Sequence, residues 1–172
     1  LSLTALLVYL SRINSYVDRH KRITVPAIVT AATMQRSAYD MNLTLHLFLE
    51  QMTKTGADEA LARLASHADA IRHSLQLYRS THAARTHPIL LGMLNQHQRL
   101  DLADQEVPAI AEIDQALQEL NGLWSAALTQ AQAPGATQSA TTKADALIAR
   151  LTYHLDQLVA AHRDIDVEMK IE

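Results

Sequence analysis

The stretch IARLTYHLDQLVAAHRDIDVEM, residues 148–169, decides the fold. Its apolar residues Ile148, Leu151, Leu155, Leu158, Ile165 and Met169 fall alternately three and four apart, and His162 stands in the same line. That spacing draws one apolar stripe along an α-helix and suits neighbours packed at shallow angles, knobs into holes. The pattern recurs upstream. It runs through Ala31, Met34, Ala38, Met41, Leu45, Phe48 and Met52, beside a parallel line of Ile28, Ala32, Tyr39 and Leu43. It returns as Ala57, Leu61, Leu64, Ala68, Ile71, Leu75 and Tyr78, and again as Ile110, Ile113, Leu117, Leu120, Trp124 and Ala127.

Breaks separate the four stretches at Thr55-Gly56-Ala57-Asp58, between His87-Pro88 and Pro108, and at Ala133-Pro134-Gly135-Ala136. The pattern therefore predicts helices over 25–54, 57–87, 108–132 and 139–170. Each has about 25–32 residues, or roughly 38–48 Å at the α-helical rise. Short turns at Gly56 and Pro134-Gly135 make sequential helices antiparallel, and the connection 88–107 lies at the opposite end, with both termini. The expected fold class is all-α: an up-down-up-down four-helix bundle with a long first helix extending past it. PILLGML, residues 88–94, is expected to form a short apolar helix over the open end of the core. Thr55 with Asp58, and Thr142 with Asp145, resemble capping boxes with Asp in place of Glu. Pro108 is placed in a first helical turn, where proline is tolerated.

Composition agrees. The 172 residues include only 4 Gly, 4 Pro and 4% aromatics, as expected of long helices rather than sheets. A net charge of −3 without a basic stripe gives no footing for nucleic acid. Cysteine is absent, which removes disulfides, thiol catalysis and thiolate metal sites.

Leu3, Leu6, Leu10, Ile13 and Val17 carry the spacing back towards the first residue, until the charged run DRHKR at 18–22 interrupts it. Pro26 falls inside this long pattern and is expected to kink the helix or mark its entry into the bundle. The four bundle helices match in length without LSLTALLVYLSR (1–12), so that stretch has no bundle partner. It is read as the last turns of a membrane span. Residues 1–22 then form the end of a transmembrane helix and its juxtamembrane segment, and 23–172 the bundle.

Little points to catalysis. His46/Glu50, Asp69/His73 and His162/Asp166 are pairs four apart, close to the two or so that chance gives for nine His and 18 acids. Glu-x-x-His, His-Glu-x-x-His, a nucleophile elbow, a P-loop and GxGxxG are all missing, so neither a metal nor a cofactor nor enzymatic activity is expected. His162 occupies a seam position normally given to Leu or Ile. It fixes register there or, in a sharper reading, senses protons. HAARTHP (82–88) and HSLQL (73–77) are similar to phosphoacceptor motifs. The first lacks the acid after His82 and gains His87, and the second has Gln76 and Leu77 where Lys and Gly are usual.

RINSYVDRHKRITVPAIVTAATMQRSAYDMN (12–42) resembles the start of the four-helix-bundle sensor domains of bacterial methyl-accepting chemotaxis receptors and sensor kinases. In these domains a span runs into helix one and a proline follows, here Val25-Pro26-Ala27. LTYHLDQLVAAHRDIDVEMKIE (151–172) is similar to their final helix, which descends to a second span. The resemblance covers nearly the whole chain, through layout more than motif. It implies a periplasmic domain of an inner-membrane receptor, homodimeric and anchored through flanking helices. Such a domain binds a small solute at its membrane-distal end and passes a displacement of the last helix to a cytoplasmic module, most often for chemotaxis.

The family's amino-acid clamp of arginines at the distal end of helix one is not matched, since no Arg follows Arg36 there. The polar residues able to line a distal pocket are Arg36, Tyr39, Asn42 and His46 on the first bundle helix, and Arg150, Tyr153 and His154 on the last. Two guanidiniums suit an organic acid's carboxylate. A cytoplasmic histidine phosphotransfer bundle, or a structural module that recruits other helices, are the alternatives.

Overall fold

The computed structural model describes residues 3–50, 57–130 and 136–171, and all regular structure among them is helical. The first rod is continuous: α1 (Leu3–Arg19), a π-helical turn (His20–Thr24) and α2 (Val25–Glu50). The π turn ends two residues before Pro26, and the Val25 N–H reaches back five residues to the His20 carbonyl. In α-register the Pro26 ring would strike the Arg22 carbonyl, which would also lose its donor. A widened turn at this point accommodates the proline without ending the helix. The charged run 18–22 thus lies within the rod and does not divide it.

α3 (Ala57–Leu77) closes with a second π turn, Tyr78–His82, and a bend through 83–87. The helix expected over 57–87 therefore ends early. α4 (Pro88–Gln96) is the apolar segment expected over the end of the core, and it buries Leu90, Met93 and Leu94.

Only residues 97–99 separate α4 from α5 (Leu100–Gln130). Gln98 takes a left-handed φ of 56°. The Arg99 N–H bonds the Leu94 carbonyl at 2.8 Å and the Gln98 N–H bonds that of Asn95 at 3.2 Å, the Schellman pattern with Gln where Gly is usual. α5 begins eight residues before Pro108, which corrects the first-turn reading of that proline. Leu102, Ala103 and Glu106 are buried, and their packing outweighs the local helix-breaking tendency of Pro108, which is itself exposed.

α6 runs from Ala136 to Ile171, so Thr142 lies inside the helix and does not cap it. Thr55, Gly56, Pro134 and Gly135 lie outside the described residues.

α2 packs on α3 and α6, and α5 packs on α6 and α3. Their shared core takes Ala27, Ala31, Met34, Ala38, Met41 and Leu45 from α2, and Ile148, Leu151, Leu155 and Leu158 from α6. It also takes Leu64, Ala68, Ile71 and Leu75 from α3, and Ile113, Leu117, Leu120 and Trp124 from α5. Each set keeps the three-four spacing, and small alanines on α2 let its neighbours approach closely. A second cluster at the end near α4 joins Ile23, Leu90, Leu94, Leu102, Ile165 and Met169. Beyond it α1 carries Leu6, Leu7, Val8, Tyr9 and Leu10, each at least 46% exposed. No described helix is long and apolar enough to cross a membrane.

Candidate functional sites

The seven residues expected to line a distal pocket divide between two faces. On α2, Arg36 and Tyr39 are exposed, Tyr39 at 70%. The His46 Nε2 stands 3.0 Å from Asp145 of α6. Asn42 is partly buried, and its Oδ1 is enclosed with no hydrogen-bond partner. On the α5–α6 face Arg150 is already engaged, bonding Glu112 through Nε at 2.8 Å and Glu119 through Nη1 at 3.1 Å. His154 lies 3.8 Å from the same Glu112, and Tyr153 stands edge-on to His154 while remaining exposed. The structure thus brings Arg150, Tyr153 and His154 together around glutamates, apart from the α2 set.

The tightest polar groupings lie at the other end, and the sequence pattern had singled out only part of them. Glu106 of α5 is 1% exposed. It accepts the Tyr78 hydroxyl at 2.8 Å on one oxygen and the Ala84 N–H at 2.6 Å on the other. The His162 Nε2 is 3.1 Å from Glu106 Oε1, yet neither ring nitrogen of His162 has hydrogen-bond geometry to any acceptor. The Tyr78 ring meets His162 edge-on at 5.5 Å and His82 at 6.2 Å. Burial first, then the Glu106 charge and hydrogen bond, push the Tyr78 hydroxyl far above the ordinary phenol range and keep it a donor. Burial, then the charge of His162, hold His82 and His87 below the ordinary imidazole range.

Glu106 is in phase with Ala109 and Ile113, so it is a carboxylate on an apolar seam, a signal of the same kind as His162. Beginning the helix at Pro108 hid it.

The second grouping gathers on Asp166, where α6 meets the first π turn. Asp166 lies 2.6 Å from His20 Nδ1 and 3.2 Å from Lys170 Nζ, and it accepts the hydroxyls of Tyr16 at 3.2 Å and Thr24 at 3.3 Å. Burial opposes its ionisation, but the hydrogen bonds and charges of His20 and Lys170 prevail and hold the carboxyl below the usual aspartate range. Of the pairs four apart, Asp166 thus turns to α1 and not to His162, while Asp69 bonds Arg72 and leaves His73 exposed. Nearby, Glu168 receives Arg99 from the turn before α5.

Among the described residues no group of three or more His or acidic side chains is placed to hold a metal ion. No protein-family model, curated protein or solved structure matches the chain.

Proposed function

We propose that the chain is the extracytoplasmic sensor domain of a transmembrane receptor, built as an up-down-up-down four-helix bundle. It binds a small solute and passes a displacement of α6 to a cytoplasmic signalling module for chemotaxis. The observation that carries this reading is α1. It continues α2 without a break, meets the second apolar cluster only through Tyr16, and exposes Leu6, Leu7, Val8, Tyr9 and Leu10 farther along. Side chains of that kind on several faces of one helix call for an apolar surrounding. The end of α6 lies alongside, tied to the same rod through Asp166.

A second apolar stripe supports a homodimer. Val25, Val29, Tyr39, Leu43 and Leu47 on the outer side of α2 are between 41% and 70% exposed, and a second copy of α2 would cover them. Arg36 lies on that outer side with no ion pair among the described residues, and the enclosed Asn42 Oδ1 lacks a donor. A small organic acid bearing a hydroxyl or amino donor would satisfy both kinds of group. Arg150 is a weaker contributor because Glu112 and Glu119 already neutralise it. A ligand acts only through unequal affinity for two states of the bundle.

The test is export. Alkaline phosphatase fused after Glu172 in the natural reading frame is active only if that point lies outside the cytoplasm. Inactive fusions, or polar sequence flanking both ends of the chain, would sink the membrane-receptor reading. A thermal-shift panel of organic, amino and aromatic acids then tests direct binding, which raises the unfolding midpoint. If acetyl phosphate instead labels the protein, and His73→Gln or His82→Gln removes the label, the phosphotransfer alternative takes its place.

A further inference from the structure

We propose that the cleft between α1 and the end of α6 is a binding site for the phosphate headgroup of an anionic phospholipid. The inference rests on the membrane-anchored reading for the source of the lipid, and on the geometry of the cleft for its chemistry. The cleft, about 310 Å³, is lined by Tyr9, Arg12, Tyr16, Arg19, Met169 and Lys170. Three cationic side chains and two phenols from two helices therefore border one opening.

Arg12 is exposed and makes no ion pair among the described residues. Its planar fork matches two phosphate oxygens. Lys170 lies 3.2 Å from Asp166 and 5.8 Å from the Tyr16 ring centroid, so it is held at the rim by a carboxylate and an aromatic face. An ammonium has three donors, and the contact with Asp166 leaves others to turn outward.

The surroundings favour a lipid over a free phosphate. Tyr9 and Arg12 also border an open groove of about 440 Å³ with Thr4, Ala5 and Val8, farther along α1 from the core. The exposed residues Leu6 to Leu10 lie roughly 3–9 Å beyond Arg12 at the helical rise. That is close to the depth, about 5–10 Å, over which an interfacial helix buries its apolar side chains. A headgroup at Arg12 thus leaves the glycerol and the first methylenes against Val8 and Tyr9. Tyrosine, apolar at the ring and polar at the tip, suits this boundary. Beyond the cleft Lys21 and Arg22 are exposed but do not line it, and Arg22 pairs with Asp18.

The experiment floats the 172-residue chain with vesicles of phosphatidylcholine alone and with vesicles containing about one quarter phosphatidylglycerol. The proposal expects flotation with the anionic vesicles that weakens as salt is raised. It expects Arg12→Gln to reduce affinity about fivefold, the usual effect of one cation at an anionic surface, or more. Lys21→Gln removes the same charge outside the cleft and should reduce it less. Arg12 supports no described contact, so a melting curve superimposable on the parent's is expected for the variant.

Equal losses from Arg12→Gln and Lys21→Gln would mean diffuse attraction and overturn the site. Equal binding to both vesicle types would also overturn it, leaving apolar insertion and the anchored reading intact. Full competition by inorganic phosphate at constant ionic strength would overturn the lipid as occupant. No flotation with either vesicle overturns the site, and the export fusion then decides separately whether the domain is anchored.

Discussion

Replacing Glu106 with Ala removes the acceptor shared by two buried donors, and the structure sets the scale of the loss. The Tyr78 hydroxyl, at 2.8 Å, and the Ala84 N–H, at 2.6 Å, would both be left without a partner in a region closed to water. Each orphaned buried group costs about 1–3 kcal/mol, so the two together cost about 2–6 kcal/mol. For a domain of this size 1 kcal/mol moves the midpoint by roughly 2–4 °C, so the drop should be about 4–24 °C. Glu106→Gln keeps one acceptor oxygen and should lose about half as much. Tyr78→Phe removes one donor without changing the packing, so the pair Tyr78→Phe and Glu106→Ala should be strongly non-additive. The triple variant Tyr78→Phe, Glu106→Leu, His162→Leu should be more stable than Glu106→Ala, because only the Ala84 N–H is then unmet. The assay is urea unfolding of the parent and these variants followed by far-UV circular dichroism. A loss below about 1 kcal/mol for Glu106→Ala, or additivity with Tyr78→Phe, would refute the coupled buried network.

Three further outcomes follow from the same geometry. His82 and His87 bind protons less readily in the folded chain than in the unfolded one, so their contribution is complete above about pH 6.5 and is lost as pH falls below it. The unfolding midpoint should therefore fall between about pH 7.5 and pH 5.5, and His82→Gln/His87→Gln should flatten that slope; an unchanged slope would contradict the assignment. Gln98→Gly relieves a left-handed backbone at the end of α4 and should raise stability by about 1 kcal/mol in the same unfolding assay. Pro108→Ala restores a donor for the Asp104 carbonyl inside α5 at an exposed position and should raise stability by about 1–3 kcal/mol; a lower midpoint would mean the proline shapes a bend that the packing needs.

The seams were legible because their spacing is enforced by burial. Met34, Ala38 and Met41, or Leu151, Leu155 and Leu158, read the same in sequence and structure because a closely packed core tolerates only one register. Helix ends were less legible where tertiary packing overrode local chemistry. Pro108 looked like a beginning because proline suits a first turn, but Leu102 and Ala103, buried under α4 and α6, draw the helix back to Leu100. Thr142 looked like a cap because it precedes Asp145 by three, yet α6 was already formed six residues earlier. The π turns left no mark in the three-four spacing, although each places polar side chains against a carboxylate: His20 and Thr24 against Asp166, Tyr78 against Glu106. His162 was visible as a polar residue on an apolar line. Its partner Glu106 was not, because the line on α5 was begun one turn too late.

The distribution of polarity along α6 bears on how such a domain could respond. From Ile148 to Leu158 its buried contacts are apolar, and dispersion contacts are individually weak and carry no strict direction. A slide of a fraction of an ångström there changes little. At the other end His162 faces Glu106 at 3.1 Å, and Asp166 meets His20, Tyr16, Thr24 and Lys170 within 2.6–3.3 Å. Charge-assisted hydrogen bonds fall off steeply with distance and angle, so the Asp166 contacts hold the helix in one register against the rod of α1 and α2, while His162 only abuts Glu106. His162 and Asp166 are four residues apart on one face, yet the first meets α5 and the second binds α6 to the rod of α1 and α2. On the receptor reading, a displacement of α6 must be accommodated at these two buried carboxylates, besides the outer contacts of Arg150 with Glu112 and Glu119 and of Gln35 with Asp156. A force applied in the apolar part would be resisted where the bonds are directional, beside the segment that leads toward the membrane.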